Sequence, residues 1–237
     1  MLMDRQELEN QLTLITAITP DGVITMKDGV AIVSHTDTAN VSVVYNVFKL
    51  PFADGQYGVD FEKLLSLIKA YKTKEIDIAL TEKMISLRSG SIKNRIQSLN
   101  VSVMPKVRPK METPLPCIVE IETAEILEVV SFVEKVSDTS KNDYLGAGFV
   151  FDGTNLSFEC LDAEDTKRSF EIAQVLSGSG TKYQSLYPFD YLRTIVKAIG
   201  KVNGKGKMKI SIGNNTPCRI ESDDVTYVIA NRMEGDD

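Results

Sequence analysis

The chain has 237 residues, 43% hydrophobic and 25% charged, with a formal net charge of −6. That length supports one large or two ordinary domains with real cores. No run of about 18 apolar residues is present to cross a bilayer. The opening MLMDRQELENQ lacks the cationic start and apolar stretch of a secretory leader, so an intracellular protein with no membrane partner is expected.

Three cysteines, Cys117, Cys160 and Cys218, and one histidine, His35, do not make a paired zinc-ligand pattern. Reduced, mostly buried thiols, no metal and no cofactor are expected. Charge is uneven along the chain: 14 basic and 13 acidic residues precede Pro116, and 13 basic and 20 acidic follow it, giving +1 and −7. This excludes a protein coated in nucleic-acid-binding surface but leaves room for a local basic stripe.

In chain order, Leu8, Leu12, Ile15 and Ile18 fall at mainly helical spacing within residues 5–18, predicting an amphipathic helix. Pro20-Asp21-Gly22 ends it. Val23–Met26 and Val30–Val33 flank Lys27-Asp28-Gly29, a tight-hairpin signal, and a third strand follows at Val41–Phe48. After a loop at 51–55, Asp60 is a good N-cap for a helix at Phe61–Tyr71, whose residues 61, 64, 65, 68 and 71 trace one apolar face. Strand patterns at Ile76–Leu80, Met84–Arg88 and Ile92–Leu99 close this half.

Residues 104–116, MPKVRPKMETPLP, hold four prolines and three basic residues. Proline removes backbone donors and fixes φ, so this segment is expected to run extended as a linker between domains at 1–103 and 117–237. The second half replays the first. A helix is predicted at Glu122–Val136, a hairpin at Phe149–Phe158 around Asp152-Gly153, a strand at Lys167–Gln174, and a strand into Pro188, placed at a helix N1 position. A second helix and three closing strands near 207–212, 217–221 and 225–230 follow. The repeat is visible residue by residue: Phe61-Glu-Lys-Leu-Leu-Ser-Leu-Ile-Lys-Ala70 matches Phe189-Asp-Tyr-Leu-Arg-Thr-Ile-Val-Lys-Ala198 at Phe, Leu, Lys and Ala. The expected fold class is α+β, two tandem similar domains, each with two helices packed on an antiparallel sheet.

Four passages carry a resemblance: Ser34-His-Thr-Asp-Thr-Ala-Asn-Val-Ser-Val-Val44; the proline-rich linker with Cys117-Ile-Val-Glu120; the repeated helix ending Lys-Ala; and Thr226-Tyr-Val-Ile-Ala-Asn-Arg-Met-Glu234. Together, in this order along the whole chain, they are similar to DNA polymerase sliding clamps of the proliferating cell nuclear antigen (PCNA) family. The resemblance implies the DNA clamp fold. It also implies a homotrimeric ring of six domains around duplex DNA, loaded by a clamp-loader ATPase, that tethers polymerase and other replication or repair enzymes by short peptide motifs.

It further implies roles for particular residues. Lys63, Lys69 and Lys72 on one helix, and Arg193, Lys197 and Lys201 on its repeat, would meet DNA phosphates without reading sequence. Ala39, Asn40, Val41, Met111, Leu115, Pro217, Ala230, Asn231 and Met233 would line a pocket for partner peptides, with Asn231 where the family usually has proline. The edge strand bearing Ile92, Asn94, Ile96 and Ser98 would pair with the neighbour's strand bearing Ser169, Glu171 and Ala173. The chain departs from the family in its first helices. Residues 4–17, 61–74, 123–135 and 189–205 sum to −2, +3, −2 and +3, only +2 per subunit. A clamp-like regulatory protein, or one subunit of a heterotrimer that is not itself loaded on DNA, is therefore the alternative.

No catalytic constellation is visible. Asp162, Glu164 and Asp165 lack a His, Cys or Lys partner and read as a solvated loop. Asn203-Gly-Lys-Gly-Lys207 lacks the P-loop frame and reads as a turn. His35, among polar neighbours, reads as a surface residue.

Overall fold

In the computed structural model, which describes residues 2–50, 52–104, 113–136, 146–161, 167–178 and 181–232, the chain divides into two units, Met1–Lys110 and Met111–Asp237. The first opens with strand β1 (Leu2–Asp4) and helix α1 (Arg5–Thr16). Asp4 ends the strand and starts the helix, its carboxylate accepting the otherwise unpaired N–H groups of Gln6 and Glu7. Strands β2 (Asp21–Lys27) and β3 (Val30–Thr36) are joined by Asp28 and Gly29, at φ 53° and 75°, the two left-handed residues of a type I′ turn. Strands β4 (Ser42–Lys49) and β5 (Gly55–Asp60), helix α2 (Phe61–Ala70), and strands β6 (Glu75–Leu80), β7 (Met84–Ser89) and β8 (Ile92–Gln97) complete the unit.

All these strands pair antiparallel, in the orders β1-β6-β7-β8 and β4-β3-β2-β5. One core joins them: Leu8, Leu12 and Ile15 of α1, Phe61, Leu64 and Ile68 of α2, and Val33, Ile76, Ile85, Leu87 and Ile96 of the strands. Two strands are absent from the sequence reading. β1 is three residues long. β5 reads GQYGVD, whose two glycines are poor strand formers, yet Gly58 is required: a Cβ there would run into the Leu99 carbonyl, where the Leu99 N–H donates to the Gly58 carbonyl at 2.9 Å.

The second unit contains β9 (Cys117–Glu122), α3 (Thr123–Val136), β10 (Gly146–Phe151), β11 (Asn155–Leu161), β12 (Lys167–Ser177), β13 (Tyr183–Pro188), α4 (Phe189–Asn203), β14 (Lys207–Ile212), β15 (Cys218–Ser222) and β16 (Val225–Ile229). Its order, β13-β10-β11-β12-β9-β14-β15-β16, repeats the first unit's two orders with each strand replaced by its counterpart, but as one continuous run in which β12 meets β9. β12 is long enough to join the two halves, pairing with β11 over 167–174 and with β9 at Val175 and Ser177.

The copies differ in detail. The β10–β11 connection holds three residues, Asp152 to Thr154, and the Asp152 carboxylate accepts N–H groups from Thr154 and Asn155 at 2.8 Å each. Those bonds hold it below the usual carboxylate range. Pro188 closes β13 and stands as the cap of α4, one position before the expected N1. α4 has 15 residues to the 10 of α2. Its extra length passes α3 closely, at Gly200, where a Cβ would come within 2.8 Å of Leu127 Cγ.

His35 corrects the surface reading. It lies on β3 at 1% exposure, its ring packed over Gly22, and Nε2 accepts the Val23 N–H at 2.7 Å. The polar neighbours Thr36 and Asp37 suggested solvent, but strand alternation turns the ring inward, and glycine at position 22 leaves room for it.

Candidate nucleic-acid and partner interfaces

The buried stripe of α2, Phe61, Leu64, Leu65 and Ile68, fixes which side of that helix faces water. Asp60 anchors its start by accepting the Lys63 N–H at 2.8 Å. Lys63 and Lys69, and Lys72 just beyond the helix, are exposed, and none makes an ion pair among the described residues. They are three cations held on a rigid frame with their charge available.

On α4, Phe189, Leu192, Ile195, Val196 and Ile199 are buried, and Arg193, Lys197 and Lys201 follow one another a helical turn apart on the polar side. Here the charge is engaged. Lys197 Nζ donates to Glu134 Oε2 at 2.6 Å, Arg193 Nη1 lies 3.5 Å from the other oxygen of the same carboxylate, and Arg193 Nη2 lies 2.8 Å from Asp190 Oδ1. Glu134 is carried by α3, which packs beside α4 with Ile126, Val130 and Val133 buried. The hydrogen bond from Lys197, then the charges of Lys197, Arg193 and Lys135, hold the Glu134 carboxyl below its ordinary value of 4.5. Of this stripe, Lys201 alone is exposed and without an ion pair among the described residues.

The residues expected at a peptide pocket fall within each unit separately. In the first, Asp37 organises the β3–β4 loop: Oδ1 accepts the N–H groups of Val41 and Ser42 at 2.7 and 2.8 Å, and Oδ2 accepts that of Ala39 at 3.0 Å. Asn40 sits in the left-handed region at φ 57°, and Ala39 and Asn40 are exposed with Val41 half-buried. In the second unit, Pro217, Ala230 and Asn231 are half-buried, while Leu115 is buried at 7% exposure and offers little side chain to a ligand. The Arg232 N–H donates to the Leu186 carbonyl at 2.7 Å, tying the tail to β13. Met111 and Met233 lie outside the described residues.

Of the two expected pairing edges, β8 has a one-sided ladder among the described residues, whereas β12 lies between β11 and β9 and pairs with β9 at Val175 and Ser177, leaving 167–174 paired with β11 alone. β8 ends its sheet and pairs with β7. Ile92 is 58% exposed, Asn94 Nδ2 donates to the Tyr71 hydroxyl at 2.9 Å, and Ser98 lies beyond the strand with its hydroxyl on the Thr81 carbonyl at 3.0 Å. Ile96, expected at the interface, is 2% exposed and packs in the first unit's core, so only its backbone lies on that edge. On β12, Ser169, Glu171 and Ala173 stand opposite Glu159, Ser157 and Leu156 of β11.

Cys117, Cys160 and Cys218 are buried and not disulfide-bonded, and burial pushes the Cys117 thiol up to about 11. Residues 204–206 form the turn between α4, which ends at Asn203, and β14, which begins at Lys207. Asp162, Glu164 and Asp165 lie outside the described residues. Among the described residues no group of His, Cys, Asp and Glu is arranged to hold a metal, and no helix is long and apolar enough to cross a membrane. Sequence reasoning missed Glu134 and Asp190 as partners of the α4 cations, and Asp37 as organiser of its loop. The signal for Asp37 was local, an Asp opening a Thr-Ala-Asn turn. The charge of −2 on α3 was legible, but not which carboxylate met which cation.

No protein-family model matches the chain. It is 26% identical to the DNA polymerase sliding clamp of Methanothrix thermoacetophila over 98% of each chain. Among solved structures it is similar to Archaeoglobus fulgidus PCNA bound by the C-terminal region of FEN-1, with TM-score 0.82 and 20% identity over 99% of this chain and 98% of that one. It is also similar to the PCNA2–PCNA3 complex of Sulfolobus tokodaii, with TM-score 0.76 and 13% identity over 99% of this chain and 100% of that one. The structural likenesses establish the fold.

Proposed function

We propose that this chain, a clamp of the PCNA type in fold and in full-length sequence likeness, is a DNA polymerase processivity factor. It works as a homotrimeric ring around duplex DNA and tethers enzymes by topology instead of by tight binding. The observation that carries this reading is the duplicated unit whose second helices, α2 and α4, both present basic residues opposite a buried stripe. Mobile phosphate contacts from such helices attract any sequence and still permit sliding.

In this reading the subunits join by adding β8 of one to β12 of the next, a head-to-tail contact whose rotation closes at three. Short peptide motifs of partner enzymes dock on the chain through a hydrophobic groove, and A. fulgidus PCNA is known with the C-terminal region of FEN-1 bound. A clamp-loader ATPase opens the ring. The chain supplies no catalytic group of its own and acts where the DNA is.

Changing Lys69 and Lys197 together to Glu is expected to lower clamp-stimulated primer-extension length about tenfold or more while the light-scattering mass remains that of a trimer. Unchanged extension would remove DNA contact from these helices. A second reading is favoured by one observation, the capture of Arg193 and Lys197 by acidic residues. It makes the chain a regulatory or heterotrimeric subunit that is not loaded on DNA itself. A monomer that assembles only with a second chain would favour it.

A further inference from the structure

The two units carry different residues at the repeat position that, in the second, holds Glu134 against Lys197. Leu8, Leu12 and Ile15 of α1 are buried at the same spacing as Ile126, Val130 and Val133 of α3, so Thr16, which follows Ile15, corresponds to Glu134, which follows Val133. By the helix repeat, Lys69 corresponds to Lys197, and Leu65 to Arg193. Thr16 is neutral, its hydroxyl donating to the Leu12 carbonyl at 2.9 Å, and Lys69 has no ion pair among the described residues. Glu134 is charged and binds Lys197 and Arg193 with its two oxygens.

We propose that Glu134 is an internal substitute for a DNA phosphate: it occupies the cations of α4 in the absence of DNA, so that the first unit supplies most of the phosphate contact and the ring grips DNA at three places instead of six. This inference rests on the clamp reading above and concerns how that surface is tuned. A carboxylate bridging a lysine and an arginine offers the same pairing that a phosphate would. DNA must therefore displace Glu134 before α4 contributes. The exchange is feasible because the Lys197 and Glu134 side chains retain 45% and 33% of their exposure, and bridges between such groups shift an equilibrium by at most about fivefold. Displacement also leaves Glu134 facing the incoming strand, where its charge opposes the phosphates. The outcome is a loosened grip in the second unit, with no change in how the helices pack.

The test is a reciprocal exchange in the full chain, read by anisotropy of a short fluorescein-labelled duplex across a salt series, with light-scattering mass and melting temperature as controls. Glu134→Thr, and the isosteric Glu134→Gln, should tighten binding about threefold to fivefold at low salt. They should also steepen the log K against log salt slope by about 0.9 for each additional phosphate that α4 neutralises. Adding Lys197→Ala to either variant should remove most of the gain in both affinity and slope, Arg193 remaining paired with Asp190. Thr16→Glu should weaken binding by a similar factor by capturing Lys69, and Thr16→Glu with Glu134→Thr should return affinity close to the parent. If Glu134→Thr and Glu134→Gln leave affinity and slope unchanged while Lys69→Glu weakens binding, the inference fails and the clamp reading stands. If Lys69→Glu is also without effect, DNA contact by these helices fails and the inference with it.

Discussion

The two helix pairs, α1 with α2 and α3 with α4, preserve one kind of information and vary another. Their inward residues are nearly interchangeable: Phe61 and Phe189 are 0% and 1% exposed, Leu64 and Leu192 are 3% and 1%, and Ile68 and Val196 are both 0%. Their outward residues share a lysine, Lys69 and Lys197, but the companion helices differ at the matching repeat position, Thr16 in α1 and Glu134, which captures a cation, in α3. Packing tolerates little change in shape, since an interior at crystal-like density penalises each added or lost methylene. A solvated face tolerates any charge that water can screen. Divergence between the copies therefore accumulates where it alters electrostatics and leaves the architecture intact.

The inward half of this comparison is tested most severely by Phe61→Ala and Phe189→Ala. Each removes a fully buried ring, and each is expected to cost about 3–5 kcal/mol in denaturant unfolding. Losses that differed widely between the two would show that the copies are not equivalent in packing. A smaller effect, confined to one copy, is expected from Gly200→Val. Its side chain would collide with Leu127, at a cost of about 1–3 kcal/mol to the second unit, whereas α2 ends at Ala70 and has no such crossing. Destabilisation of the first unit by this change, followed by hydrogen exchange, would break the assignment.

The smallest effect concerns pH. His35, the chain's one histidine, belongs to the first unit, and burial lowers its pKa from the ordinary 6.5. The unfolded chain then binds more protons than the folded one between the folded value and about 6.5, so stability falls as pH drops through that window. The slope for this single group is at most about 1.4 kcal/mol per pH unit. Hydrogen exchange at stepped pH should show the first unit loosening there, and His35→Gln should flatten the dependence if the variant folds with the Val23 N–H still paired.

What the sequence disclosed follows the same division. The buried stripes of α2 and α4 were legible because period and residue type coincide, and the Asp28-Gly29 hairpin because a type I′ turn demands left-handed residues. β1 and β5 were not legible: one is too short to show a period, and the other owes its place to Gly58 passing Leu99, a long-range approach that no local pattern encodes. His35 was misread because the polarity of its neighbours says nothing about a glycine opposite. Asp190 stands three residues before Arg193, a helical neighbour that spacing could have revealed. Glu134 lies on a different element, and a charge sum over a helix cannot say which partner a carboxylate meets.

The placement of sulfur has a practical consequence. Cys117, Cys160 and Cys218 are 0%, 1% and 0% exposed, all three belong to the second unit, and the sequence has no others. A thiol-reactive dye therefore meets no accessible native target while the second unit stays closed, and opening of the first unit releases none. The time course of native-state labelling reports the opening of one copy against a silent background from the other. A single cysteine introduced on the exposed face of α2 could carry a reporter dye without removal of the native three.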